Sequence, residues 1–437
     1  MNTRVAIIGA GYAGLAAAVE LTRAGLDVVV FESSRVMGGR ARVVEKDGLR
    51  LDNGQHILLG AYTETLRLLR FLGVKPRSLL SMPFVLHAPG RLTLRAASLP
   101  APLHLAVGLL RSRELGWADR LAMLRLIRFL KKTDWKLGDD YPVSELLTRT
   151  RQTPLLREVV WDQLCVAALN TPPDEASAQV FANVLRDSVG ASAPASEMLI
   201  PRVDLTELLP VQAAVFLGMN GAVIHTATPI RSIRQLDGRF FLDGDPGENS
   251  HFSHVIVATA PYHASRLLEG FGELRQLRAQ IDALEHEPIT TIYLGYDEDI
   301  RLPEPMLQPG SPVVQWLFDR QQFTGERNVF AAVISASGPH SELSREELVL
   351  QTHRALTGLF PHRSIRAPAW SQVITEKRAT FACRPGISRP LTRTPNNGIF
   401  LAGDYVSSPY PATLESAVRS GNNAARHILR SLPAGQV

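Results

Sequence analysis

Residues 4–32 read RVAIIGAGYAGLAAAVELTRAGLDVVVFE. The apolar runs at 4–8 and 27–31 are typical of strands that are buried on both faces of a parallel sheet. Residues 13–24 carry apolar side chains at helical spacing and predict a helix. A charged residue before an apolar stretch also resembles a secretory leader, but the glycine spacing favours a strand, a turn and a helix. The stretch therefore predicts a βαβ unit.

Three glycines and one acid in this unit predict a dinucleotide site. Gly9 makes the tight turn, Gly11 lets a pyrophosphate approach the backbone, and Gly14 lets the helix pack closely on the strand. Free amides at the start of the helix, where Ala13 lies, attract the phosphate. Glu32 ends the second strand, where its carboxylate can accept hydrogen bonds from both ribose hydroxyls. Its charge would repel the additional phosphate of NADP.

A second glycine pair follows in the run GGRAR at residues 38–42. Gly38 and Gly39 allow another close approach of the backbone to a phosphate, and Arg40 can form charge-assisted hydrogen bonds to it. A basic, solvated turn is the alternative interpretation. We predict that Gly39 and Arg40 contact the cofactor.

The first glycine motif, Glu32 and the GGRAR run together resemble the FAD-binding start of the amine oxidase and phytoene desaturase superfamily. Two later runs, VIVATA at 255–260 and GIFLAGD at 398–404, fit the same superfamily. The resemblance implies that FAD is the cofactor. It also implies that Ile230 lies beside adenine, that Ala258 ends a strand near the cofactor, and that Gly403 and Asp404 lie at the ribityl or pyrophosphate end.

A long helix pattern runs from about Thr413 to Arg430. Thr413 is the predicted N-cap residue and Leu414 begins the helix. In the superfamily the start of this helix points at the flavin, where its dipole stabilises negative charge on the reduced ring. A simple packing helix is the alternative interpretation.

These runs predict an α/β fold. We expect a Rossmann-like FAD-binding domain of the amine oxidase and phytoene desaturase type, with an inserted, mixed α+β substrate domain. The FAD-binding domain is expected to be discontinuous, at residues 1–75, 196–260 and 376–437. The substrate domain is expected at 76–195 and 261–375.

The segment LDNGQHILLGAY at 51–62 is more selective, and it resembles the hydroxysqualene dehydroxylases of bacterial hopanoid biosynthesis. The runs PRVDL at 201–205 and EKRATF at 376–381 resemble the same group. The resemblance implies that Asn53 and Gly54 lie at the flavin. It also implies a hydrophobic C30 isoprenoid substrate and the conversion of hydroxysqualene and reduced flavin into squalene, water and oxidised flavin.

This reaction is chemically coherent, because loss of a hydroxyl beside a double bond leaves an allylic cation that can accept a hydride. His56 is the candidate catalytic residue, since a protonated imidazole can donate a proton to the leaving oxygen. The alternative is that His56 only hydrogen-bonds the backbone or the flavin. The sequence does not identify the electron donor.

Three other functions remain open on the sequence. A carotenoid or phytoene-type desaturase would run the same hydride transfer in reverse, and a flavin amine oxidase would share the cofactor site. A prenyl-carrier protein with the same architecture would lack the cofactor. The intact glycine motif, Glu32, Arg40 and Asp404 argue against the carrier.

The composition of the chain bears on its partners, on metal binding and on its location. The chain has 437 residues, a net charge of +5 and 7% aromatic residues, and this weak charge and low aromatic content do not favour a nucleic-acid partner. Two distant cysteines provide neither a disulfide framework nor a metal site, so we predict no metal and a reducing, cytoplasmic location.

The charge excess lies in one place. Residues 111–136 hold eight basic and three acidic residues, which equals the net excess of the chain. They follow the apolar run LPAPLHLAVGLL at 99–110. A basic, amphipathic pair of this kind can lie in an anionic bilayer surface. Residues 99–136 therefore predict either a peripheral site on the inner face of the cytoplasmic membrane or a substrate-domain helix with its apolar stripe in the core.

Overall fold

A five-stranded parallel sheet forms the centre of the nucleotide-binding part. The computed structural model describes residues 3–247 and 250–432. Every pair of neighbouring strands in this sheet is parallel, and all five strands are short. Four of them are buried along most of their length, whereas the edge strand Val223–His225 is exposed or half-buried. In spatial order the strands are Val223–His225, Asp27–Phe31, Arg4–Ile8, His254–Val257 and Ile399–Leu401. The predicted α/β fold and its first βαβ unit are confirmed.

Two helices cover one face of this sheet. The helix Tyr12–Arg23 follows the first strand, and Leu414–Ser431 packs against it. A Cβ atom added to Gly421 would lie 2.1 Å from the carbonyl oxygen of Ala13, so glycine is required where the two helices meet. The last helix is thereby held against the helix that opens at the first glycine motif.

A second, antiparallel sheet lies in the substrate part of the chain. One face packs on the helix Arg345–Thr357. The other faces the main apolar core, which contains side chains of both sheets, such as Ile8 and Tyr293. In spatial order its strands are Met306–Leu307, Trp316–Asp319, Val329–Ser335, His286–Gly295 and Trp370–Phe381. The expected boundary between residues 375 and 376 falls inside the strand Trp370–Phe381.

Shorter elements connect the two sheets. A tight turn with positive φ at Asp237 and Gly238 joins the strands Ser232–Leu236 and Arg239–Asp243 into a hairpin. The small sheets pair Val43–Lys46 with Leu49–Asp52, Leu58–Leu59 and Leu79–Met82 with Met198–Pro201, Val85–Ala88 with Leu92–Arg95, and Ser232–Leu236 with Arg239–Asp243. The remaining α-helices are Thr63–Phe71, Leu103–Arg111, Trp117–Lys132, Val143–Arg149, Pro154–Leu156, Asp162–Leu169, Ala178–Asp187, Leu205–Leu208, Pro210–Met219, Pro261–Leu267 and Arg275–Asp282; a π-helical turn spans Arg157–Trp161.

The helix Trp117–Lys132 has two apolar faces. Its inner face buries Ala122, Leu126 and Leu130 in the core. Its outer face leaves three large apolar side chains exposed, at Trp117, Leu121 and Leu124. Within the described ranges, every helix is too short or too polar to cross a bilayer.

Asp52 joins the strand Leu49–Asp52 to the helix Leu205–Leu208. Its Oδ1 accepts a hydrogen bond from the Leu205 amide at 2.9 Å. Tyr293 donates from its hydroxyl to the Asp52 carbonyl oxygen at 2.9 Å, which fixes the same residue to the antiparallel sheet. Burial raises the pKa of the Asp52 carboxyl to about 7, against which the Leu205 hydrogen bond acts only in part.

This raised pKa predicts a pH-dependent stability. The folded protein holds a proton on Asp52 more tightly than the unfolded chain, so the contribution is present at low pH and is lost as pH rises through 7. We expect about 1.4 kcal/mol of the free energy of unfolding to be lost between pH 6 and pH 8. Denaturant unfolding of the wild type and of Asp52→Asn at both pH values measures the difference. An equal change in both proteins would show that Asp52 does not titrate in this range.

Candidate cofactor and active site

The first glycine turn is shaped by close backbone contacts. Gly9 has φ +109°, and a Cβ atom there would lie 2.7 Å from the carbonyl oxygen of Ala258. A Cβ atom on Gly14 would lie 1.9 Å from the carbonyl oxygen of Gly9. Only glycine fits either position. The turn therefore brings the first strand, the first helix and the end of the strand His254–Val257 to one point.

A second glycine turn faces the first. Gly38 and Gly39 have φ values of +114° and +62°, and the Gly38 amide donates to the Ala10 carbonyl oxygen at 2.9 Å. A Cβ atom on Gly11 would meet nothing nearer than the Cα of Gly39, at 3.9 Å. Packing within the protein therefore does not require a glycine at position 11. The space beside it is a cradle into which a pyrophosphate fits.

Glu32 lies beside this cradle, almost fully buried. Its Oε2 accepts from the Ala10 amide and its Oε1 accepts from the Ser34 amide, both at 2.8 Å. These amides fix the carboxylate. The Ser33 hydroxyl also donates to Oε1, at 3.3 Å, so Oε2 is the oxygen with a further lone pair for a ribose hydroxyl. The amide of Thr228 donates to the Glu32 carbonyl oxygen at 2.8 Å, which places the segment that leads to Ile230 at the same end of the site.

Arg40 connects four distant segments. Its Nη2 donates to Oδ1 of Asp404 at 2.6 Å, and its Nη1 donates to the Ala379 carbonyl oxygen. The Asn53 side chain donates to the Arg40 carbonyl oxygen at 3.2 Å. Gly403, with φ +155°, places Asp404 at the end of its strand. The structure therefore brings together Arg40, Asn53, Gly403 and Asp404, which were each assigned to the cofactor from separate motifs.

The last helix is bonded to this cluster through Ser420, whose Oγ accepts from the Gly403 amide at 2.8 Å. Thr413 is its N-cap residue, and the Thr413 Oγ1 accepts from the Ser416 amide at 3.1 Å, as expected. Leu414 is the first helical residue. The Glu415 carboxylate accepts from the amides of Glu64 and Thr65 at 3.0 and 2.9 Å, so the helix start is tied to the neighbouring helix Thr63–Phe71.

His56 lies on the loop after Asn53 and Gly54. Its Nδ1 is 2.8 Å from the Gly54 carbonyl oxygen, so Nδ1 carries a proton and donates it to that oxygen. Burial lowers the pKa of His56, and the charge of Arg40 lowers it further. At neutral pH the imidazole is therefore uncharged, and Nε2 presents a lone pair.

Two buried hydroxyls near these residues were not predicted from the sequence. Within the described residues, Thr291 Oγ1 and the Tyr405 hydroxyl have no hydrogen-bond partner. Thr291 Oγ1 lies 3.7 Å from the position of a Cβ atom on Gly54. Tyr405 follows Asp404 directly, a signal that could have identified it. Thr291 lies in the middle of a long strand and has no local signal.

These features fit FAD. The open space beside Gly11 has room for a pyrophosphate, the Glu32 carboxylate could accept a hydrogen bond from a ribose, and Asp404 with Arg40 would hold the opposite end. The hydroxyls of Thr291 and Tyr405, which have no partner in the described structure, are available to hydrogen-bond a polar ligand. Ala13 belongs to the same helix start, with its carbonyl oxygen turned to Gly421.

Comparison with known proteins identifies the family. The model of the family described as flavin-containing amine oxidoreductase matches residues 12–429. The chain is 30% identical to a hydroxysqualene dehydroxylase of Rhodopseudomonas palustris, over 98% of this chain and 99% of that one. It is 25% identical to a 15-cis-phytoene desaturase of Narcissus pseudonarcissus, over 98% of this chain and 79% of that one.

A solved structure supports the same fold. A triple mutant of putrescine oxidase superposes with a TM-score of 0.71 at 18% identity and covers 99% of both chains. At this identity the likeness establishes the architecture alone. Because the family model matches most of its length, the chain belongs to the flavin-containing amine oxidoreductase family, and it is an FAD-dependent oxidoreductase.

Proposed function

We propose that the chain reduces hydroxysqualene, a C30 isoprenoid alcohol, to squalene and water. One observation carries the proposal: an intact FAD cradle occurs in a chain that matches a hydroxysqualene dehydroxylase along almost its whole length. An intact cradle also disfavours a prenyl carrier that has lost its cofactor. Carotenoid desaturation uses the same cradle in the opposite direction, and the more distant desaturase relative makes it the second candidate.

The residues of the chain bind and orient the reacting groups. Bound FAD, when reduced, supplies the hydride that replaces the hydroxyl. The two glycine turns, Glu32 and the Arg40–Asp404 pair hold the cofactor in one position. The start of the last helix, capped by Thr413, would provide positive potential that favours negative charge on the bound, reduced cofactor.

Departure of the hydroxyl requires a proton. The allylic C–O bond breaks with its electron pair on oxygen, and the oxygen leaves as water once it is protonated. His56 would supply this proton from Nε2, because Nδ1 is already bonded to Gly54. Donation requires the imidazolium form, and the lowered pKa of His56 makes that form scarce at neutral pH.

The direct test is anaerobic incubation of the purified, yellow protein with a chemical reductant and hydroxysqualene. We expect squalene, measured by mass spectrometry, in amounts equal to the flavin reoxidised. A protein that produces no squalene but introduces double bonds into phytoene with oxidised FAD would be a desaturase instead. A colourless protein with no affinity for FAD would contradict both.

The matched control for this assay is Gly11→Val. The protein leaves room for the added Cβ atom, whose nearest neighbour would be the Gly39 Cα at 3.9 Å, and the side chain would fill the proposed pyrophosphate space. This variant should fold, lose FAD and form no squalene. Gly14→Val should instead destabilise the fold, because its Cβ would overlap the Gly9 carbonyl oxygen.

The proton-donor role of His56 predicts a pH profile. Since the pKa of His56 lies below its usual value, the imidazolium fraction rises as pH falls. The single-turnover rate constant for squalene formation should therefore increase on acidification below about pH 6.5. His56→Gln should lower the rate constant by roughly a hundredfold and remove this increase. If His56→Gln retains flavin and the wild-type pH profile, His56 is not the donor.

We also propose that residues 99–136 bind the surface of an anionic membrane. Five large apolar side chains on the helices Leu103–Arg111 and Trp117–Lys132 are 55–72% exposed: Leu103, Leu110, Trp117, Leu121 and Leu124. Seven basic residues in the same segment are also exposed: Arg111, Arg113, Arg125, Arg128, Lys131, Lys132 and Lys136. Exposed apolar side chains among basic ones are typical of helices that lie in a bilayer interface. Such contact would deliver a substrate that is almost insoluble in water.

The outer apolar face can be tested separately from the core. The triple variant Trp117→Ser, Leu121→Ser and Leu124→Ser removes exposed side chains only, so the fold and flavin content should not change. Sedimentation with vesicles containing phosphatidylserine at low salt should fall at least tenfold. The control is Met219→Ser with Leu236→Ser, which removes equally exposed apolar residues elsewhere. Equal binding by the wild type and the triple variant would contradict the proposal.

A further inference from the structure

A cavity of about 510 Å³ lies beside the exposed apolar helices. Its walls come from the end of the strand Leu79–Met82, from residues 96–100, from the start of the helix Leu103–Arg111 and from residues 193–197. We call it the His104 cavity after the histidine in its wall. Its size is within the range of small-ligand sites in proteins.

His104 is the unusual feature of this cavity. The side chain is 1% exposed, and neither ring nitrogen has a hydrogen-bond partner in the described structure. Burial lowers the pKa of His104, so the ring is neutral and offers one N–H donor and one lone pair. Leaving both unsatisfied is costly. A hydroxyl group, which accepts and donates, would satisfy either nitrogen.

The surroundings select against an anionic ligand. Of the described residues that line the cavity, none is lysine or arginine. Glu197 in the wall carries a carboxylate that accepts from Ser81 at 2.7 Å. Met82, Phe84 and Leu99 give the cavity apolar walls. The lining therefore fits a neutral alcohol with a hydrocarbon chain and disfavours a lipid phosphate.

The cavity lies between the exposed apolar surface of the helix Leu103–Arg111 and the segment that contains His56. Leu99 lines it and is itself exposed, and the helix that starts at Leu103 carries the apolar surface proposed to contact the bilayer. On the opposite side, the Pro194 wall packs against Gly60, where a Cβ atom would lie 1.8 Å from the Pro194 carbonyl oxygen. Gly60 belongs to the same segment as His56.

We propose that the His104 cavity is a binding site for a neutral prenyl alcohol, which enters from the membrane surface and is held by a hydrogen bond between its hydroxyl and His104. The identity of the alcohol as hydroxysqualene rests on the proposed function. The site selects the hydroxylated substrate over its hydrocarbon product, because squalene cannot make this hydrogen bond.

Equilibrium dialysis with radiolabelled geranylgeraniol, at a fixed concentration of non-ionic detergent, tests the site without turnover. We expect His104→Leu to weaken binding of this alcohol by roughly three- to tenfold and to leave binding of squalene unchanged. His104→Gln, which keeps a donor and an acceptor, should restore most of the affinity. The control is His87→Leu, since the His87 ring already pairs with Thr93 at 3.0 Å. Flavin absorbance reports whether each variant is folded.

Three outcomes would overturn the proposal. The first is equal loss of alcohol and squalene affinity in His104→Leu, which would indicate a general apolar cavity. The second is tighter binding of geranylgeranyl phosphate than of geranylgeraniol, which would indicate a lipid headgroup site. The third is no effect of either His104 variant. No reductant is present in the dialysis experiment and the probe is not hydroxysqualene. A negative result in it therefore does not contradict squalene formation, and an absence of squalene formation does not contradict binding of the alcohol.

Discussion

The ion pair between Arg40 and Asp404 is the contact on which the cofactor site depends. Its partners come from opposite ends of the chain and meet at 2.6 Å in a partly buried position. The same guanidinium binds the Ala379 carbonyl oxygen in the antiparallel sheet, and the Arg40 carbonyl oxygen binds Asn53. One residue thus fixes the second glycine turn, the His56 loop, the substrate sheet and the last parallel strand relative to each other.

The two glycine turns have a different role from this ion pair. Gly9 and Gly14 are required by the protein itself, because any side chain there would overlap backbone atoms. Gly11 is not required by the protein and is explained by a ligand. This difference separates residues that build the fold from residues that leave room for the cofactor. A bound cofactor would supply the reacting electrons, so the reaction needs few titratable groups from the protein itself.

Local signals explain what the sequence could predict. The strands Arg4–Ile8 and Asp27–Phe31 were predicted within a residue, since each is specified by its own few residues. Roles that depend on a motif, such as those proposed for Arg40 and Asp404, could be predicted because the motifs are contiguous.

Features that depend on tertiary contacts were missed. The strand Trp370–Phe381 was not predicted, because its mixture of polar and apolar residues has meaning only beside its neighbour His286–Gly295. Thr291 has no local signal for the same reason. Residues 117–132 suggested either a membrane surface or a core stripe, and the structure shows that one helix has a buried face and an exposed apolar face. A sequence pattern alone could not separate the two faces, because both are apolar.

A double-mutant cycle on FAD affinity tests the central role of the ion pair most directly. The dissociation constant of FAD is measured for the wild type, Arg40→Met, Asp404→Asn and the double variant. If the two residues act on FAD through their ion pair, each single variant should weaken FAD binding. The double variant should then bind FAD only slightly less tightly than the single variant with the lower affinity. The coupling energy should be roughly 0.5–3 kcal/mol. Additive losses would contradict this account, because they would show that the two residues act on the cofactor independently.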